Sequence, residues 1–191
     1  MSKPLIFVAV DIEGTGDRFD APIAAIGCVV GDENGQVLDK KTWCVLLEED
    51  DIEPRCKTEF WDKQKGLWQR IRNEARPAPE VAQQFVRFWD ELEVRFPLDK
   101  FKFKILSDNP SYDISRIDYF VWQHTKRYPI RYTSDGRYRS VEDPSEQAYG
   151  TSDEEGCWKR AAEKQVHNHW PSDDAHFIYN LAMEVKKLIR K

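Results

Sequence analysis

Near its start the chain reads Leu5-Ile6-Phe7-Val8-Ala9-Val10-Asp11-Ile12-Glu13-Gly14-Thr15-Gly16, an apolar run that closes on two acids and a Gly-Thr-Gly. An almost unbroken apolar stretch over Leu5–Ile12 predicts a strand buried on both faces, as found inside a sheet with helices on either side. Side chains two apart on a strand share a face, so Asp11 and Glu13 project together. Two carboxylates emerging side by side from a buried strand repel each other. A divalent cation resolves that conflict, since Mg²⁺ prefers hard oxygen ligands, and the glycines let backbone approach a ligand closely. The plainer account is two acids facing water at a strand end, followed by a turn.

Working outward, Pro22–Val30 repeats the apolar pattern, and Asp32-Glu33-Asn34-Gly35 carries the Asn-Gly of a tight hairpin. Val37–Leu47 follows, which predicts an antiparallel meander of three strands. Phe60, Trp61, Gln64, Leu67, Trp68 and Ile71 then fall at helical spacing, predicting a helix over 57–73. A second stripe of Val81, Phe85, Phe88, Trp89 and Leu92 lies between the Pro77/Pro79 break and Pro97. Phe101–Leu106 reads as a fourth strand, and Asp113–Lys126, 153–165 and the segment from 173 onward read as helices. The order β-β-β-α-α-β-α-α-α predicts an α/β fold with a mixed sheet flanked by helices. Residues 127–152 lack periodicity and read as one long loop, of the kind that is usually functional or mobile. Trp61, Trp68 and Trp89 sit on apolar stripes and are expected in the core.

The chain has 191 residues, with 29 Lys+Arg against 34 Asp+Glu for a formal charge of −5. That length fits one domain spanning 1–191, and 40% hydrophobic with 13% aromatic residues supplies a core. Mild acidity excludes a protein that holds nucleic acid by global positive charge. Cys28, Cys44, Cys56 and Cys157 lie far apart with no CxxC spacing, against a zinc knuckle or a disulfide scaffold. No apolar run approaches the ~20 residues of a membrane span, and the first one ends in Asp11 too early for a signal peptide. A cytoplasmic location is the expectation.

Two further segments carry candidate chemistry. Ser107-Asp108-Asn109-Pro110-Ser111-Tyr112-Asp113 lies at a strand-to-helix junction, where Asp113 suits either an N-cap or a third carboxylate beside the first pair. His167-Asn168-His169-Trp170-Pro171-Ser172-Asp173-Asp174 enters the last helix, where acids suit the positive helix end. A histidine on such a loop exchanges protons near neutral pH. Each segment alone has an ordinary structural explanation. Their order, Asp-x-Glu on the first strand, Asn-x-x-x-Asp after a later strand, then His-x-x-x-x-Asp at the last helix, is specific.

With that ordered triple, and with Ala24-Ala25-Ile26-Gly27-Cys28-Val29 as a matching second strand, the sequence resembles the DEDDh family of 3′–5′ exonucleases in the ribonuclease H-like superfamily. The resemblance covers nearly the whole chain. It implies that Asp11, Glu13, Asp113 and Asp174 hold two divalent ions, Mg²⁺ or Mn²⁺, and that His169 is the general base. It also implies that Gly14 and Thr15, with Asn109, hold the 3′-terminal nucleotide. Single-stranded RNA or DNA ends would be the substrate, with RNA slightly favoured, and related small exonucleases are often homodimers. One position departs from the pattern: many members have His-Asn where this chain has Asp108-Asn109, which adds negative charge near the site. The His169–Asp174 spacing selects those two residues over His167 and Asp173. In residues 127–152, Arg131, Arg137 and Arg139 alternate with tyrosines, so stacking and phosphate contacts there are a further expectation. Two other readings stay open: a catalytically degenerate binding module on the same fold, and a superfamily nuclease that cuts internally.

Overall fold

The computed structural model describes residues 3–189. Its centre is a five-stranded sheet in the order β3-β2-β1-β4-β5. Strands β1 (Leu5–Gly14), β2 (Ile23–Asp32) and β3 (Val37–Cys44) form the expected antiparallel meander. Strand β4 (Lys102–Leu106) adds to β1 in parallel, and β5 (Ser140–Glu142) adds to β4 in parallel. The sheet is therefore mixed, and helices cover both faces.

The pleat of β1 divides the core. Ile6, Val8, Val10 and Ile12 face α3 (Ala78–Arg95) and α4 (Pro110–Thr125), packing with Phe85, Trp89, Ile117 and Val121. Phe7 and Ala9 face α7 (Pro171–Ile189) on the other side, against Ala175, Ile178 and Tyr179. A smaller cluster of Trp61, Ile71, Cys44 and Trp170 closes the edge near β2 and β3. It includes α1 (Pro54–Cys56), the wide turn at Lys57–Trp61 and α2 (Lys65–Glu74), so the helix expected over 57–73 is interrupted at 62–64. The interruption lets Trp61 turn inward, where its Nε1 donates to the Gly14 carbonyl at 3.2 Å. Trp61 and Trp89 are buried as expected, and Trp68 is half-buried against the same cluster.

The expectation of a long loop over 127–152 is corrected. This segment contains β5 and α5 (Pro144–Tyr149), with Tyr132 and Tyr138 bridged in a small hairpin before them. Edge β4 supplies the backbone partners for β5, and Asp143 caps α5 by accepting from the Ser145 and Glu146 amides. α6 (Glu154–Lys164) then packs on α7, where Arg160 and Lys164 converge on the buried Glu184 carboxylate. No helix among the described residues is long and apolar enough to cross a membrane.

Candidate active site

The row Phe7, Ala9, Asp11, Glu13 runs along one face of β1, so the apolar floor under α7 turns acidic within one step. What stands over those acids depends on how closely α7 approaches. Asp11 pairs with Gly27 of β2, and a Cβ at Gly27 would lie 2.0 Å from the Pro171 carbonyl carbon and 2.3 Å from the Ser172 nitrogen. Only a residue without a side chain lets the first turn of α7 rest on the sheet there. That contact sets Asp174 above Asp11 and Glu13, and one oxygen from each of the three carboxylates lies within 4.8 Å of the others.

The junction after β4 brings the third segment to the same place. Asn109 caps α4 by accepting from the Tyr112 amide, which starts the helix and points Asp113 inward. Ser107 donates its hydroxyl to Asp113 Oδ2 at 2.6 Å. Asp11, Asp108 and Asp113 form a second group of carboxylates with the same 4.8 Å spread. Asp11 belongs to both groups. Asp108, read from the sequence as added charge, thus stands among the acids themselves.

The electrostatics are those of like charges crowded together under burial. Burial raises the Asp11 carboxyl well above its usual range, and Asp113, Glu13, Asp174 and Asp108 push it further. Burial also raises Asp113, to about 8, against the favourable Ser107 bond and with repulsion from Asp108 and Glu13. Glu13, Asp108 and Asp174 are likewise raised, chiefly by burial. Asp11 Oδ2 is buried with no hydrogen-bond partner among the described residues. A lone buried carboxylate oxygen within a ring of acids fits a divalent cation with oxygen ligands.

His169 sits in a left-handed conformation, φ 63°, on the loop before α7. Its amide and that of Asn168 donate to the two oxygens of Asp174, at 2.9 and 2.8 Å. Its Nδ1 lies 3.7 Å from Glu13 Oε1, an ion-pair contact, and its ring meets Phe60 edge-on at 5.0 Å. The Glu13 carboxylate raises the imidazole pKa above its ordinary value, against partial burial. His167, set aside on spacing, also reaches the site, with Nε2 3.2 Å from Asp174 Oδ2.

Gly14 and Thr15 lie directly beyond the acids. A Cβ at Gly14 would stand 2.5 Å from the Tyr112 hydroxyl, and the buried Thr15 hydroxyl donates to the Pro22 carbonyl at 3.0 Å. Asn109 is exposed at the rim, with its side-chain oxygen engaged in the cap. The three loop arginines are not brought to this cluster. Arg139 is buried, stacks on Trp89 and donates to Glu93 and to the Pro129 and Tyr132 carbonyls. Arg131 pairs with Asp118, and Arg137 with Asp135. Ser140 pairs with Lys104, which pairs with Phe7. The arginine-bearing strap therefore adjoins the opposite end of β1, roughly 20 Å from Glu13 at ~3.3 Å per residue.

A mixed sheet whose first strand ends in acids, beneath the start of a C-terminal helix, defines the ribonuclease H-like class. The chain is similar in fold to E. coli exonuclease I in complex with a dT13 oligonucleotide, with TM-score 0.62 and 13% identity over 100% of this chain and 41% of that one. It is also similar to the complex of that enzyme with 5cy-dA13 (TM-score 0.61, 14% identity, 98% of this chain and 41% of that one). A third likeness is the zinc ion bound form of the E. coli exonuclease I–ssDNA complex (TM-score 0.57, 14% identity, 99% and 41%). The chain thus spans about two-fifths of exonuclease I, 41% of its length. No curated protein matches the chain by sequence. The family described as the 3′–5′ exoribonuclease Rv2179c-like domain matches residues 7–185. The chain belongs to that family.

Proposed function

We propose that the protein is a metal-dependent 3′–5′ exonuclease that removes nucleotides from single-stranded ends, with RNA favoured over DNA. The observation that carries this reading is the convergence of Asp11, Glu13, Asp108, Asp113 and Asp174 around a buried, unpartnered carboxylate oxygen. Repulsion among these raised acids is unfavourable by itself, and a cation bound among them would offset it. The exoribonuclease family description supports the choice of RNA.

Asp11, Glu13 and Asp174 would hold one Mg²⁺ or Mn²⁺, and Asp11, Asp108 and Asp113 a second, with Asp11 common to both. When bound, such ions activate water and stabilise the charge that develops on the phosphodiester. The remaining steps belong to the chain. Glu13 faces His169 Nδ1, which leaves Nε2 to accept the proton of the attacking water. The hydrogen bonds from Asn168 and His169 fix Asp174 and hold the histidine loop beside the acids. Gly14 and Thr15 border the position for the terminal nucleotide, and Phe60 gives His169 an apolar neighbour that limits water around the ring.

The test is digestion of matched RNA and DNA oligonucleotides, 5′-labelled, with Mg²⁺ or Mn²⁺ and a chelator control. A ladder shortening from the 3′ end, abolished by chelation and faster on RNA, is the expected result. Internal cuts, or binding without cleavage in either metal, would replace this reading with one of the alternatives.

A further inference from the structure

The acids account for only part of the donors at this site. His167 and His169 stand on the loop between α6 and α7, and the left-handed turn at His169 brings their rings to 5.0 Å between centroids, at 82°. One donor atom from each of His167, His169 and Asp174 falls within 4.8 Å of the other two. This is a different donor set from the carboxylate groups beside it. Mg²⁺ selects oxygens, whereas imidazole nitrogens suit zinc and the later transition ions.

The geometry and access agree with that chemistry. With bonds of ~2.0–2.1 Å, a tetrahedral zinc ion places neighbouring ligand atoms ~3.3 Å apart; His167 Nε2 and Asp174 Oδ2 are 3.2 Å apart. The His167 and His169 side chains are 47% and 38% exposed, so an ion can reach them from solvent. The loop is already ordered: the Trp170 amide donates to Asn168 Oδ1 at 2.9 Å, and Asn168 Nδ2 to Asp173 Oδ2 at 2.9 Å. Asp174 keeps its place through two backbone amides, so a ligand at its oxygen needs no rebuilding of the helix start.

We propose that His167, His169 and Asp174 form a second, overlapping transition-metal site of the Zn²⁺ class, which shares Asp174 with the carboxylate group, and that zinc there withdraws His169 and Asp174 from the catalytic set. The binding stands apart from the nuclease assignment, while the inhibition rests on it. A plain His167–Asp174 ion pair would give neither effect.

The experiment uses the full chain with ¹⁵N-labelled histidine, titrated with Zn²⁺ in excess Mg²⁺ and followed by NMR of the ring nitrogens and by calorimetry. His167→Ala, which keeps His169 and every acid, is titrated beside it. The expected result is that both imidazoles shift with Zn²⁺. Affinity should fall in the variant by at least the ~10–100-fold that loss of an outer-shell partner costs. In a parallel Mg²⁺ digestion, zinc concentrations that silence the parent should leave His167→Ala active. Unmoved imidazole resonances, or equal zinc affinity in the variant, would overturn the site. Equal zinc inhibition of both proteins would overturn the shut-off. An inactive protein whose two imidazoles still take zinc would sink the nuclease reading and uphold the site.

Discussion

The two ends of β1 both gather carboxylates and treat them in opposite ways. At the far end, beside β5, charges are matched: Arg139 with Glu93, Arg131 with Asp118 and Arg137 with Asp135. At the near end, Asp11, Glu13, Asp108, Asp113 and Asp174 crowd together with two histidines and no arginine or lysine in ion-pair reach of Asp11, Glu13 or Asp113 among the described residues. The Arg139–Glu93 and Arg131–Asp118 pairs tie a strap to the body, and Arg137–Asp135 closes within it. Burial and crowded like charges here raise the pKa values of Asp11 and Asp113. Residue type alone does not separate the two roles; the local balance of charge does.

That contrast can be broken most directly at the near end. His169→Ala should lower kcat by about 10²–10⁴-fold, the usual share of a general base, and Asp11→Ala by at least as much. By calorimetry the thermal midpoint of His169→Ala should stay close to the parent's and that of metal-free Asp11→Ala should not fall, while single-turnover digestion reads the lost activity. Full activity in purified His169→Ala would remove the assigned base. At the far end Arg139→Ala should do the reverse. It leaves the largely buried Glu93 and the carbonyls of Pro129 and Tyr132 unmatched, a loss of about 3–5 kcal/mol by the usual magnitude for breaking a buried pair. A normal melt with lost activity would show that the strap serves the substrate after all.

A third variant sharpens the comparison through pH. Asp113 is raised to about 8 in the fold, above the ~3.9 of an unfolded aspartate. Its contribution is therefore fully present below about pH 4 and is lost as pH rises toward 8 in metal-free protein. Asp113→Asn should raise the metal-free midpoint at neutral pH, by about 2–4 °C for each kcal/mol of repulsion relieved, while activity disappears. Added Mg²⁺ should stabilise the parent more than the variant, which keeps the Asp11, Glu13 and Asp174 group. A lower midpoint for Asp113→Asn would mean that its Ser107 bond outweighs the repulsion. The smallest effect is expected at Arg137→Ala, an exposed pair whose loss should lie within about 0.5 kcal/mol.

Much of this arrangement was legible residue by residue. Alternation on β1 put Asp11 and Glu13 on one side, and helical periodicity placed helices from Asp113 and from 173; both start earlier, at Pro110 and Pro171, so Asn109 rather than Asp113 is the cap and Asp113 lies in the first turn. The missing parts share a cause. β5 is only three residues, Ser-Val-Glu, and exists because β4 leaves an edge to pair with; its one local signal was the Asp143-Pro144 cap that follows. Arg139 reads like its neighbours Arg131 and Arg137, yet only it is buried over Trp89. Asp108 and His167 fall outside the spacing of the motif; β4 pairing beside β1 brings Asp108 to the acids, and the close packing of α7 on Gly27 brings the loop that carries His167.

Periodicity and the ordered acids therefore determined, without coordinates, the strands of the meander, the main helices and the family resemblance, because those depend on contacts a few residues apart. The tertiary structure alone decided which charges are compensated, which carboxylates meet, and that a second histidine stands beside the first. Those outcomes depend on the approach of segments distant in the chain, where a close contact such as that at Gly27 sets the separation of the groups.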